Sequence, residues 1–177
     1  SALDPTQRNL SLDPLKTTDF KLSEPSADSQ PPDIPEDSHD QVVYFRDNGE
    51  EKVSSVIIGN KYKSVITDEN GEPKKDSEGN VMYRMGPRPE ELSGKNLRVP
   101  HPDSGLPSHI TIGKLIDDYD KGLEENKVRQ AHFEVKYSRD EKEDIMSYND
   151  IVDFLNRDDA LYDGKYWNFR KIIGHKQ

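Results

Sequence analysis

Apolar and polar residues alternate most regularly in the last third of the chain. Ala131, Phe133, Val135 and Tyr137 take every second place, with His132, Glu134 and Lys136 between them. A period of two predicts a strand with one buried face. Upstream, Ile110 and Ile112 alternate with His109 and Thr111 before the pattern shifts to Leu115 and Ile116, and Gly113 at the shift predicts a bend or bulge. Downstream, Asp144-Ile145-Met146 reads as a further strand, and Ser147 follows as an N-cap with Asp150 three residues on. Tyr148, Ile151, Val152 and Leu155 then fall at i, i+3, i+4 and i+7, the buried stripe of a short helix.

With the run Gly94 to Val99 as an opening strand, the segment 93–157 is predicted to be a small SH3- or Tudor-like barrel plugged by one short helix. Residues 41–92 read as β-hairpins. Val42 to Phe45 leads into Asp47-Asn48-Gly49, and Val53 to Ile58 returns; Asn-Gly supplies the positive φ angles that a tight hairpin turn requires. Val65-Ile66 and Val81 to Met85 are expected to pair, with the polar stretch 68–80 as an exposed, mobile tip. Residues 1–40 carry six prolines and nine acids against three bases, which predicts a disordered acidic linker. Leu3, Leu10, Leu12 and Leu15 within it leave open a short docking peptide. After a polar break at 158–164, Trp167, Phe169 and Ile173 recur at odd positions, so 165–177 is expected to open a further strand that lacks partners.

Composition narrows the function. Of 177 residues, 31% are apolar and 34% charged, with a formal net charge of −10. So acidic a chain does not suit an extended phosphate-tracking surface. Residues 164–177 are the exception: Lys165, Arg170, Lys171 and Lys176 stand beside Trp167 and Phe169 with no acid, so Trp167, Arg170 and Lys171 are the candidate contacts to nucleic acid or a partner. The chain has no cysteine, which excludes disulfides, thiol nucleophiles and Cys-based zinc sites. No apolar run approaches the ~20 residues that span a bilayer, so no membrane partner is expected. The chain begins at Ser1 and is read as a piece of a longer polypeptide.

Motifs that invite a chemical reading fail on their surroundings. Asp103-Ser104-Gly105 has the wording of an aspartic-protease loop, but Pro100-His101-Pro102 precedes it where an apolar strand is needed. Asp68, Asn70 and Gly71 resemble part of a calcium loop, yet the twelfth position is Gly79 rather than a bidentate Glu. The five histidines show no metal-ligand spacing, and His132 is placed on a polar strand face. No catalytic residue, cofactor or metal is expected. Tyr119, Tyr137 and Tyr148 are the rings available for an aromatic cage of the kind that takes methyl-lysine.

One resemblance organises these readings. Asp144-Ile145-Met146-Ser147-Tyr148-Asn149-Asp150-Ile151, followed after an acidic gap by Trp167-Asn168-Phe169-Arg170-Lys171-Ile172-Ile173-Gly174-His175, resembles the segment between integrase and reverse transcriptase in copia-type retrotransposon polyproteins of diatoms and other unicellular algae. Pro87-Arg88-Pro89-Glu90-Glu91-Leu92-Ser93-Gly94-Lys95 is similar to the entry of the barrel in that family, and Ser1-Ala2-Leu3-Asp4-Pro5 with Arg8-Asn9-Leu10 is similar to the stretch just after integrase. The resemblance implies a non-catalytic interaction or spacer segment on the C-terminal side of integrase, with 165–177 opening a truncated chromodomain-like module. It implies the integrase and reverse transcriptase of the same polyprotein as partners, with nucleic acid or chromatin beside them. An intracellular location follows, in cytoplasm and nucleus for an active element. The alternative is a stand-alone host interaction or chromatin-reader protein domesticated from such an element.

Overall fold

A computed structural model describes residues 27–117 and 124–166. The described residues are mainly β, with two antiparallel sheets and one α-helix. The first sheet holds β1 (Val43–Asp47), β2 (Glu50–Ile58), β3 (Lys61–Val65) and β4 (Tyr83–Gly86), in that spatial order. Asn48 and Gly49, with φ of 53° and 85°, make the β1–β2 turn, as their side chains predict. Ile66 donates its N–H to Met82 O at 2.9 Å, and Val65 lies opposite Tyr83, so the expected pairing across residues 68–80 is present.

The segment 68–80 is exposed for most of its length but fastened, which corrects the expectation of a mobile tip. Asp68-Glu69-Asn70-Gly71-Glu72 and Asp76-Ser77-Glu78-Gly79-Asn80 are two loops of one design. In each, an aspartate Oδ1 accepts from the backbone N–H groups two and four residues on, the Asx geometry that stabilises turns without secondary structure. Lys75 then reaches Asp47 at 3.0 Å and Ser29 donates to Asp76 at 2.5 Å. Val128 donates its N–H to Gly71 O at 2.9 Å.

The second sheet holds β5 (Asn96–Arg98), β6 (His109–Ile116), β7 (His132–Tyr137), β8 (Glu143–Ser147), β9 (Leu161–Tyr162) and β10 (Lys165–Tyr166), ordered β10-β9-β5-β6-β7-β8. The helix α1 (Tyr148–Leu155) lies between β8 and β9 in the chain. Ser147 caps it, accepting the Asp150 N–H at 3.1 Å. Gly113 sits in the register shift between Ile112 and Leu115, the bulge expected there. Leu92, Leu97, Ile110, Ile112, Phe133 and Ile151 are wholly buried between the sheet and the helix.

Among the described residues neither sheet closes on itself, so the second sheet is open there, with β8 and β10 at its ends, where an SH3- or Tudor-like barrel was expected over 93–157. Closure would need a main-chain ladder between the two ends of the sheet. Instead α1 lays Tyr148, Ile151, Val152 and Leu155 on the open inner face, where side-chain burial replaces the missing ladder.

The first sheet also meets α1, through Tyr148, Asn149 and Asp153. Tyr148 Oη donates to Pro87 O at 2.6 Å, and a Cβ at Gly86 would stand 2.6 Å from the Tyr148 Oη, so this close approach requires glycine. Beside it Arg84, itself buried, donates to Asn149 O at 3.0 Å and Asn149 Oδ1 at 2.9 Å, and pairs with Asp153 at 2.7 Å. Asn149 Oδ1 also accepts the Thr67 N–H, its own N–H donates to Gln130 Oε1, and its Nδ2 donates to Thr67 O and Asp153 Oδ2. A network so fully satisfied fixes how the two sheets meet.

Two further expectations change at the margins. The expected linker 1–40 is engaged over its described part: Asp28 exchanges main-chain hydrogen bonds with Tyr83 at 2.9 and 2.7 Å, and Pro32 is buried. Residues 1–26 lie outside the described residues. The strand expected to start near residue 165 without a partner does have one, since Lys165–Tyr166 pairs with Leu161–Tyr162 and β9 pairs with β5. Its continuation from Trp167 is outside the described residues. No helix among the described residues is long and apolar enough to cross a membrane.

Candidate interaction groove

Of the residues singled out from the sequence, Tyr119, Trp167, Arg170 and Lys171 lie outside the described residues. Tyr137 and Tyr148 do not make an open cage. They are 3% and 2% exposed, and a cage must offer ring faces to its ligand. Tyr137 packs edge-on against His101, ring centres 5.4 Å apart, and Tyr148 against Tyr62 at 5.0 Å. Burial raises the phenol of each, that of Tyr148 far above its ordinary range. The strand alternation explains this result: Tyr137 shares its phase with Phe133 and Val135, so it points into the core.

The solvent side of β6, β7 and β8 is a better candidate. Thr111 lies opposite Lys136, and Lys136 opposite Glu143; one step along, Glu134 lies opposite Ile145. These side chains share the outer face, because partners across a ladder point the same way. Gly113 contributes no side chain at the bulge, and a Cβ there would stand 3.1 Å from Glu134 O. The face is therefore hollowed into an open groove of about 910 Å³ lined by these residues, Val135 and Asp144. Ile145 forms its outer wall and is 43% exposed. Two carboxylates, Glu134 and Glu143, share this face with one ammonium, that of Lys136, and Asp144 lines the groove from the other phase of β8.

The groove ends on an edge strand whose hydrogen-bond phase can be fixed. Tyr137 donates its N–H to Lys142 O at 2.8 Å, so by antiparallel alternation Lys142, Asp144 and Met146 turn their main chain toward β7. Glu143 and Ile145 turn theirs outward. The Ile145 N–H accordingly donates to the Asp144 side chain at 2.8 Å rather than to a strand.

A second cluster sits at the β7–β8 turn. His101, 5% exposed, places Nε2 at 3.0 Å from Asp140 Oδ2, and its Nδ1 accepts the Asp103 N–H at 3.2 Å. With Nδ1 accepting, Nε2 carries the proton and donates. That bond first, and the Lys142 N–H second, hold the Asp140 carboxyl below its ordinary value. His101, Asp103 and Asp140 bring their ligand atoms within 4.8 Å of one another, but Lys142 already serves Asp103 at 3.2 Å. The cluster locks the turn. Sequence spacing could not show it, because His101 and Asp140 are 39 residues apart. Comparison with protein-family models, with curated proteins and with solved structures finds no match to this chain.

Proposed function

We propose that this chain is a non-catalytic interaction and spacer segment of a copia-type retrotransposon polyprotein, from the C-terminal side of integrase. The observation that carries the reading is the connectivity of the second sheet. Its strands pair in the order β9-β5-β6-β7-β8, with one short helix before β9, the order in which SH3-like barrels pair theirs. Small β units of this kind act by what they display on faces and edges. Here the display is the groove along β8, held on a scaffold that α1 and the Arg84–Asn149 network make rigid. The polyprotein's integrase and reverse transcriptase are the natural partners, and nucleic acid is a secondary one through Arg170 and Lys171.

Reading the flanking genomic frame tests the assignment. An integrase core upstream and a Tyr/Phe-x-Asp-Asp reverse transcriptase downstream are expected. Host genes on both sides would overturn it in favour of the stand-alone reader. For the secondary partner, a titration against labelled DNA should give weak binding that falls steeply with salt and is lost when Arg170 and Lys171 are both changed to Ala.

A further inference from the structure

We propose that β8 accepts a basic, extended segment of a partner protein as an added strand. The proposal deepens the interaction reading above and rests on it. The edges of the two sheets are not equivalent. Asp28 covers β4 through two main-chain hydrogen bonds, Asn126 donates its N–H to Arg46 O on β1 at 3.0 Å, and β10 is two residues long in its described part. The five-residue strand β8 has β7 on one side and, among the described residues, no main-chain partner on the other. An uncovered edge of this length is a template for another strand.

The chemistry of the groove selects the occupant. The outward main chain of Glu143 and Ile145 would supply the new ladder. Ile145, exposed beside the Gly113 hollow, would take an apolar side chain from the outer face of the added strand. Glu143 and Asp144 point to opposite faces of β8, so a basic side chain on either face of the incoming segment meets a carboxylate. With Glu134 behind them the groove is acidic, in a chain of net charge −10. An acidic second copy of the same face would meet like charge, which is destabilising across a strand pair. The Asp144 carboxylate now occupies the Ile145 N–H. A carbonyl of the added strand would replace it there and release it to the incoming base.

The test uses the full chain and a labelled peptide of about ten alternating Lys and Val residues, a length that spans one strand. Fluorescence anisotropy at two salt concentrations and backbone amide shifts are the readouts. Salt-sensitive binding is expected, with shifts concentrated on β7 and β8 and none with an alternating Glu and Val peptide. Ile145→Pro removes an outward N–H while leaving the ladder to β7 intact, and Glu143→Lys reverses a rim charge without touching the backbone. Each should weaken binding about tenfold. Equal affinity for wild type and Glu143→Lys, or shifts confined to the first sheet, would overturn the proposal. So would a dimer in sedimentation that Ile145→Pro abolishes, since the edge would then belong to a second copy. Loss of peptide binding in a chain whose genomic frame does carry integrase and reverse transcriptase would defeat this inference alone. Host genes in that frame would defeat the functional assignment even with the peptide seated on β8.

Discussion

The two sheets of this molecule are held by different forces. The second sheet and α1 enclose one cluster of fourteen buried residues among those described, from Leu92 to Leu155. The first sheet has a cluster of five: Phe45, Val65, Val81, Tyr83 and Val128. Val128 comes from the loop before β7, so even this small core is completed from outside. What the first sheet lacks in apolar area it makes up in buried polar ties, among them Asp47, Arg84, Ser54 and Thr67. Ser54 Oγ bonds to Arg129 O, and Asn48 N–H to Asn126 Oδ1 at 2.6 Å. One sheet folds around its own core, and the other is assembled against it. Polar ties are specific but contribute little net free energy each, so the dependence should run in one direction.

The largest effect expected tests the independent sheet. Phe133 is wholly buried at the centre of β7, and Phe133→Ala should cost about 3–5 kcal/mol. Both sheets should melt together in chemical denaturation, because the first has only a cluster of five that Val128 completes from outside. Glu134→Ala, on the exposed face one residue along, should change stability by no more than about 0.5 kcal/mol. A protein that kept a cooperative first-sheet transition after Phe133→Ala would reverse the proposed hierarchy.

A smaller effect tests the joint. Arg84→Met removes two hydrogen bonds to Asn149, and bonds of this charge-assisted kind are worth about 1.5–3 kcal/mol. The ion pair with Asp153 adds little, because that carboxylate is about half exposed. Hydrogen exchange should rise across β1 to β4 and stay slow in β6 and β7, a sub-global opening of the dependent sheet. Uniform acceleration over both sheets would mean that they form one cooperative unit.

This division also explains what could be read from the sequence. Strands β6 to β8 and α1 were legible because period-two runs, a capped helix stripe and a glycine at the bulge are local signals, whereas β9 falls within 158–164, which reads as a polar break. The outer face of the second sheet was legible in the same alternation, which already placed Glu134 and Lys136 together and Tyr137 inside. The docking of the first sheet was not legible. Arg84 and Asn149 are 65 residues apart, and nothing in either neighbourhood announces the other. The same holds for Asp28 against Tyr83, where a proline-rich acidic stretch that reads as unstructured supplies the cover for a strand edge. The open edge of β8 was hidden for a further reason: closure of a sheet depends on where its ends meet in space, not on any residue in them.

The smallest effect expected is a pH dependence confined to the dependent sheet. Asp47, at the end of β1, is 5% exposed between Lys52 at 2.7 Å and Lys75 at 3.0 Å. Burial acts to raise its carboxyl, but the hydrogen bonds from Lys52 and Lys75 outweigh it and hold the group below its ordinary 3.8. A depressed folded value means that the unfolded chain takes up the proton first as pH falls. The stabilisation is therefore fully present above the unfolded value and is lost as pH drops from there through the folded one. Lys75 belongs to the fastened segment 68–80, so protonating Asp47 should loosen that segment and β1 before it disturbs β7. Denaturant midpoints between pH 6 and 2, with hydrogen exchange at both ends, would measure this. In Asp47→Asn the acid limb should be shallower and exchange in residues 68–80 already raised at neutral pH. An unchanged acid limb in that variant would place the acid sensitivity in other carboxylates, and the clamp on the first sheet would then be packing rather than charge.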